Sequence, residues 1–300
     1  MLVREASKAK KVGLIAPVAG LLDAVSEPDL RAWVEKLSIP RHFIGQPGAN
    51  RRTAETIAAL LKEWGYEVSF QGRLYNVVAR PKAVSGPVQV VAAHFDSTAF
   101  TPGADDNASA VAAMLGCAKA LAAANPPAPV MFVSFNREED GLLGSLDYVK
   151  NLAERERQQI KCVHVLEMVG YASEEPNSQR APINLPIKMP TVGNFLGLLA
   201  NGGSAKHMNH ILQQAKCYLP ELPVTGLNVF LGLEKYLPVL LRSDHAPFWE
   251  AGIPSVMWTD TSEFRNPHYH LDTDRPETLN YTFLRRITQL VVASVMTHEP

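Results

Sequence analysis

The chain has 300 residues, 46% of them hydrophobic, which is enough to build a sizeable core. Its 29 basic and 30 acidic residues leave a net charge of −1, so nothing draws it toward nucleic acid or an anionic membrane surface. No apolar stretch reaches the ~18 residues a membrane span requires, and the three cysteines, Cys117, Cys162 and Cys217, form no C-x-x-C pair and read as small buried hydrophobes.

Lys8, Lys10 and Lys11 precede the apolar run 12–22, a faint signal-peptide pattern. Pro17 lies inside the run and no A-x-A site follows, so a core-packing N-terminal extension (1–24) and a cytoplasmic location are expected, with export as the alternative. Glu27-Pro28 opens a helix over 28–37. The stretch 43–50 is rich in turn residues. An amphipathic helix follows over 51–64, with Ile57, Leu60, Leu61 and Trp64 on one face and Gly65 as its stop. Residues 66–70 and 75–79 read as a hairpin. The runs 87–93 (PVQVVAA) and 129–135 (PVMFVSF) are short, continuous and apolar, as strands buried on both faces of a parallel sheet must be. Between them, the Ala-rich segment 108–124 reads as a helix capped by Asp106 or Asn107. Strand, helix and strand make a crossover unit with both strands pointing the same way.

Beyond Ser145 a helix is expected to Gln158, then a third buried strand over 162–169 with Glu167 near its end. Residues 172–190 form a long polar loop, a candidate flap, and 172–225 is the region where an insertion would fall. Strands are expected at 195–199, 227–231, 238–241 and 255–259, and helices at 204–217 and 281–297, the last with Leu284, Ile287 and Val291 inward. The expected fold is α/β: one three-layer domain over 1–300, with a mixed, mostly parallel central sheet and helices on both faces.

Open α/β sheets place ligands in the crevice beyond the C-terminal strand ends. That crevice would receive His94, Asp96, Asp105, Asp106, Glu138 and Glu139 together. Unpaired buried carboxylates are costly unless matched by cations, and Arg137 is the sole Lys or Arg within 94–118 or 132–145. One or two divalent cations resolve the imbalance. In His-x-Asp the histidine binds metal while the carboxylate holds its other ring nitrogen. Of two adjacent glutamates, one can bind metal and the other can take a proton from water.

The set H94-x-D96, G103-A-D-D106-N-A-S, E138-E139-x-G141 with G144-S145, L166-E167-M168, S243-D244-H245 and N266-P-x-Y269-H270-x-x-x-D274 resembles the co-catalytic di-zinc metallopeptidases. That family includes bacterial leucyl aminopeptidases, glutamate carboxypeptidase and glutaminyl cyclase. The resemblance runs from about Arg41 to the last helix and implies a fold of the zinc exopeptidase type with two zinc ions per chain. It implies His94 and Glu167 on one zinc, Glu139 and His270 on the other, and Asp106 bridging both. Asp96 would orient His94, and Glu138 would be the general base acting on a hydroxide that bridges the metals. Tyr269 resembles an oxyanion-stabilising tyrosine and Arg242 a substrate-contacting arginine. The implied activity is an exopeptidase on small peptides, foremost an aminopeptidase acting on an apolar first residue. Family aminopeptidases usually carry aspartate where this chain has Glu167. That departure keeps carboxypeptidase or N-acyl amino acid deacylase activity as alternatives, beside a single-zinc glutaminyl cyclase and a non-enzymatic binding module.

Other histidines have simpler readings. His268 is the rival of His270, and the spacing to Asp274 favours His270. His207 and His210, three apart on a helix with no carboxylate near in sequence, read as a solvated face. His164 alternates with Val163 and Val165 and reads as a core histidine. The roles of Asp244 and His245 stay open, and oligomeric state is not readable.

Overall fold

The computed structural model describes residues 1–82, 86–125, 127–181 and 190–297. A short strand, β1 (Leu2–Glu5), comes first, then helices α1 (Ala16–Asp23), α2 (Glu27–Leu37) and α3 (Pro47–Glu63). The hairpin strands are β2 (Glu67–Gln71) and β3 (Asn76–Arg80). The crossover unit is β4 (Val88–His94), α4 (Ala110–Ala122) and β5 (Val130–Phe135), within two residues of expectation and parallel as expected. Next come α5 (Leu143–Lys150), α6 (Glu154–Gln159), β6 (Ile160–Glu167), β7 (Leu196–Ala200), α7 (Ala205–Tyr218), β8 (Val224–Asn228), α8 (His245–Glu250), β9 (Ser255–Thr259) and α9 (Tyr281–Met296).

The strands form one nine-stranded sheet in the order β1-β8-β7-β9-β6-β4-β5-β3-β2. Its centre, β9-β6-β4-β5, is parallel, while β7 joins β9 antiparallel and the outer pairs β1/β8 and β2/β3 are antiparallel. Helices cover both faces. α4 and α9 pack on each other against one face, with α1, α2, α3 and α7 around them, and α5 and α8 lie on the other. The Ala-rich sequence of α4 explains its place: small side chains let it lie close to the sheet and to α9, and Val111, Met114 and Leu115 fill the gaps, nearly all fully buried. The result is the expected single α/β domain.

Several elements depart from expectation, each for a local reason. Helix α3 begins at Pro47, inside the turn-rich stretch, because proline is favoured in a first helical turn. The expected 145–158 helix is two helices, parted at 151–153, where Asn151 Nδ2 donates to the Asp147 carbonyl and the Glu156 side chain caps Ala153 N–H. Neither Asp106 nor Asn107 caps α4. Both side chains are drawn to other partners, and an irregular wide turn over 104–109 precedes the helix. Residues 238–241 form a single 3-10 turn, not a strand, because Pro238 has no N–H to give a ladder. Strand β8 ends at Asn228, three residues before the expected limit. β1 was not foreseen; it pairs with β8 from Leu2↔Asn228 to Glu5↔Thr225. Residues 182–189 of the expected flap lie outside the described residues. Among the described residues no helix is long and apolar enough to cross a membrane.

Candidate active site

The three central parallel strands end side by side and carry the site. β4 ends in His94, which is in register with Phe135, the last residue of β5, so Glu138 and Glu139 follow just beyond. On the other side β4 pairs with β6 through Ala92↔Val165, which brings Glu167 level with His94. The loop after β9 returns over these ends and delivers Tyr269 and His270.

Two groups of donor atoms result, each within 4.8 Å of one another: His94, Glu138 and Glu167, and Asp106, Glu139 and His270. Asp106 faces both groups. Its Oδ1 lies 3.3 Å from His94 Nε2, and its Oδ2 lies 3.0 Å from His270 Nε2. Glu167 Oε2 stands 3.5 Å and Glu138 Oε2 3.9 Å from His94 Nε2, and Glu139 Oε2 is 3.3 Å from His270 Nε2. The structure therefore gathers all five residues expected to bind metal, with Glu138 among them. His268 is turned away, its Nδ1 3.0 Å from Thr273 Oγ1.

Neighbours fix each donor. Asp96 lies 3.4 Å from His94 Nδ1, and its two oxygens also accept the backbone N–H groups of Glu138 and Glu139, so one carboxylate orders both strand ends. The Ser243 hydroxyl donates to Glu167 Oε2 at 2.7 Å. Asp274 accepts the N–H of Asp105 and of Asp106. Asn107 spans to β6, donating to Leu166 O and accepting from Met168 N, and the Asp106–Asn107 peptide is cis. Gly103 opens this turn at φ +63°, where an added Cβ would meet the Asp106 carbonyl oxygen at 2.3 Å.

Charge in the site is strongly perturbed. Burial lowers the His94 pKa, but the Glu138 and Glu167 carboxylates outweigh it and hold the imidazole well above its ordinary value. Burial drives the Glu138 carboxyl well above the carboxylate range, with Glu167 adding to the effect. Burial and neighbouring Asp106 raise Glu139 to about 7. Burial would raise Asp106 as well, but the His270 and His94 imidazoles beside it pull it below the usual range. His94 Nδ1 and Nε2 and Glu139 Oε1 are buried without a hydrogen-bond partner. Imidazole nitrogens and carboxylate oxygens left over at these spacings fit divalent cations with nitrogen and oxygen ligands.

Tyr269 and Arg242 come together at the rim. The Tyr269 ring stacks on His270, with centroids 3.8 Å apart, and its hydroxyl oxygen accepts from Arg242 Nη2 at 3.1 Å. Burial holds the phenol far above its ordinary pKa, so it keeps its proton to donate. Arg242 also pairs with Glu263. A cavity of about 400 Å³ opens from the donor groups past this rim.

Sequence reasoning missed Arg41. It is fully buried beneath the site and donates to the carbonyls of Phe95, Ile39, Pro102 and Gly103, fixing the loop between the two aspartate motifs. No motif or spacing signals it. Asp244, adjacent to Ser243, is buried with both carboxylate oxygens unpartnered among the described residues. His207 is buried, contrary to the solvated face expected for it, because α7 turns that side toward the core beside Met208 and Ile211. His164 is a core histidine, with Nε2 3.1 Å from Gln89 Oε1.

Acid and imidazole donors gathered in two groups at the ends of parallel strands, beside a cavity, make a site that could hold metal ions next to a bound molecule. The model of peptidase family M28 matches residues 76–295, and the chain belongs to that family. It is accordingly a metallopeptidase. Among curated relatives, the uncharacterized protein YfbL of Escherichia coli is 31% identical over 80% of this chain and 78% of its own length. Aminopeptidase YwaD of Bacillus subtilis is 30% identical over 73% of this chain, which spans 43% of that protein. Among solved structures, the Legionella pneumophila LapA aminopeptidase matches with a TM-score of 0.72 at 19% identity, covering 96% of this chain and 77% of that one; at that identity the match speaks for the fold alone. BSAP, a zinc aminopeptidase from Bacillus subtilis, matches with a TM-score of 0.56 at 28% identity over 73% of this chain and 49% of its own.

Proposed function

We propose that the chain is an aminopeptidase that works with two zinc ions on small peptides. The observation that carries this is Asp106, whose two carboxylate oxygens face two separate donor groups. His94 and Glu167 would hold one ion, Glu139 and His270 the other, and Asp106 would bridge them. Bound zinc supplies positive charge that polarises a peptide carbonyl and makes an adjacent water acidic enough to act near neutral pH.

The chain's own groups supply the rest. Glu138, with its Oε2 3.9 Å from His94 Nε2, acts as the carboxylate that takes a proton from the attacking water and passes it to the leaving amine. Asp96 holds His94 in orientation through Nδ1. Tyr269 donates its hydroxyl hydrogen to the oxyanion that forms at the carbonyl, while Arg242 holds the phenol oxygen from behind and contacts substrate at the rim.

The test is hydrolysis of aminoacyl anilides, lost on chelation and restored by zinc, with metal content measured on the same samples. Two zinc ions per active chain support the reading. One ion per chain at saturation, together with cyclisation of an N-terminal glutamine, would replace it.

A further inference from the structure

The sheet register lays a floor that leads away from the site. Glu167 pairs with Thr259, Thr259 with Gly197, and Gly197 with Thr225. Residues paired across neighbouring strands stand on one face, and strands lie about 4.8 Å apart, so this row extends about 14 Å across the sheet. The next row on the same face is Met257, Leu199, Leu227 and Val3. Gly197 adds no side chain, and the floor dips there; a Cβ at that position would stand 3.1 Å from the Thr259 carbonyl oxygen, 3.4 Å from the Thr261 methyl and 3.5 Å from that of Thr259. Val239, Leu240, Leu241 and Phe264 also line the groove, and Val3 brings the N-terminal strand to it. The ionisable lining residues are the donor groups, together with Arg242, Glu263 and Tyr269, which bond to one another next to His270. The groove is therefore charged at one end and lined mainly by apolar side chains beyond it, with Thr259 and Thr225 as neutral hydroxyls in the floor.

A leucine side chain reaches only about 4 Å from its Cα, less than one strand spacing, whereas an eight-carbon chain reaches about 10 Å. We infer that the groove receives a long apolar group carried on the acyl half of the scissile amide, with Gly197 and Val3 setting its reach. This rests on the proposed hydrolysis at the adjoining site. Such a group has two sources: the side chain of an N-terminal amino acid, or the fatty chain of an N-acyl amino acid.

The experiment uses the zinc-loaded full chain and two substrate series. One is anilides of alanine, norleucine and 2-aminodecanoic acid; the other is N-acetyl, N-hexanoyl and N-decanoyl amino acids. Each methylene buried should multiply kcat/KM by about four, so one series is expected to keep rising beyond four to six carbons, and that series identifies the source. Val3→Trp, at a half-exposed edge position, and Gly197→Ala should each lower the ratio of long-chain to short-chain kcat/KM at least tenfold. A decline beyond four to six carbons in both series, or an unchanged ratio in both variants, overturns the inference. If neither series is cleaved, the peptidase reading fails on its own and the groove is judged by calorimetry with decanoate. Binding that Val3→Trp abolishes supports the groove, and no binding to the unaltered chain overturns it.

Discussion

The two halves of the sheet do different work with different sequence grammar. The parallel half, β9-β6-β4-β5, is buried on both faces, so its strands are mostly apolar runs that stop abruptly at chemistry: His94, the pair Glu138 and Glu139, and Glu167. The other half, β1-β8-β7, has one face packed on α7, while the opposite face is the groove floor. Its strands mix Gly, Thr and Leu, and its cover is made of irregular turns. The parallel half fixes reactive groups and tolerates little; the edge half shapes a surface and can vary. Substitutions should separate the two: changes at the strand ends should abolish turnover, and changes in the edge half should act on selectivity and stability.

The largest effect is expected at Glu138. Glu138→Gln keeps the size of the side chain but cannot accept a proton, and loss of a general base costs about 10²–10⁴-fold in rate. Zinc content should be retained, as measured by elemental analysis beside kcat. An unchanged rate would remove Glu138 as the base and leave its place near His94 as that of a third ligand.

Next comes a pH effect in the cover of the groove. His245 is fully buried, its Nε2 2.9 Å from the Leu240 carbonyl oxygen and its Nδ1 without a hydrogen-bond partner among the described residues. Burial lowers its pKa from 6.5 to about 4. The folded value lies below the unfolded one, so the unfolded chain takes the proton first. The contribution of His245 to stability is then full above about pH 6.5 and is lost as pH drops toward 4, by about 3 kcal/mol at most. Denaturant midpoints between pH 7 and 4 would show this, and His245→Gln should flatten that part of the profile.

How much of this was readable depends on the same division. β4, α4, β5, β6 and β9 were legible because burial on both faces leaves few polar residues to confuse the pattern, and the site residues stand where those runs break. His270 came from the family resemblance, and its spacing to Asp274 within that motif favoured it over His268. The edge half was obscure. A Thr-Gly-Leu strand such as β8 resembles a loop, β1 is only four residues long, and 238–241 carries apolar side chains on a turn. Arg41 was illegible for another reason: its partners are backbone carbonyls from three separate stretches, and only folding brings them together. Ser243 stood in a visible motif, but its bond to Glu167 crosses 76 residues.

That bond gives a smaller prediction for the metal half. Ser243→Ala leaves Glu167 without its donor, and loss of such a supporting partner costs about 10–100-fold in metal affinity. Zinc titration against a competing chelator should show the loss, and saturating zinc should restore most of the rate. A defect that excess zinc does not relieve would place Ser243 in contact with substrate instead.

The smallest effect should fall outside both regions. Asn280 caps α9, its side-chain oxygen accepting from Phe283 N at 2.9 Å, while its own N–H is held by the Gly170 carbonyl. Asn280→Ala removes the cap but not the backbone bond, and should cost about 1 kcal/mol of stability. Helix α9 packs on α4, which lies on β4, β5 and β6, and contributes no residue to the donor groups. If the site is held by the strand ends and their local partners, kcat, KM and zinc affinity should stay within twofold while the denaturant midpoint falls. A matching drop in zinc affinity would mean that the packed layer beneath the sheet, and not the register of the parallel strands, sets the spacing of His94 and Glu167.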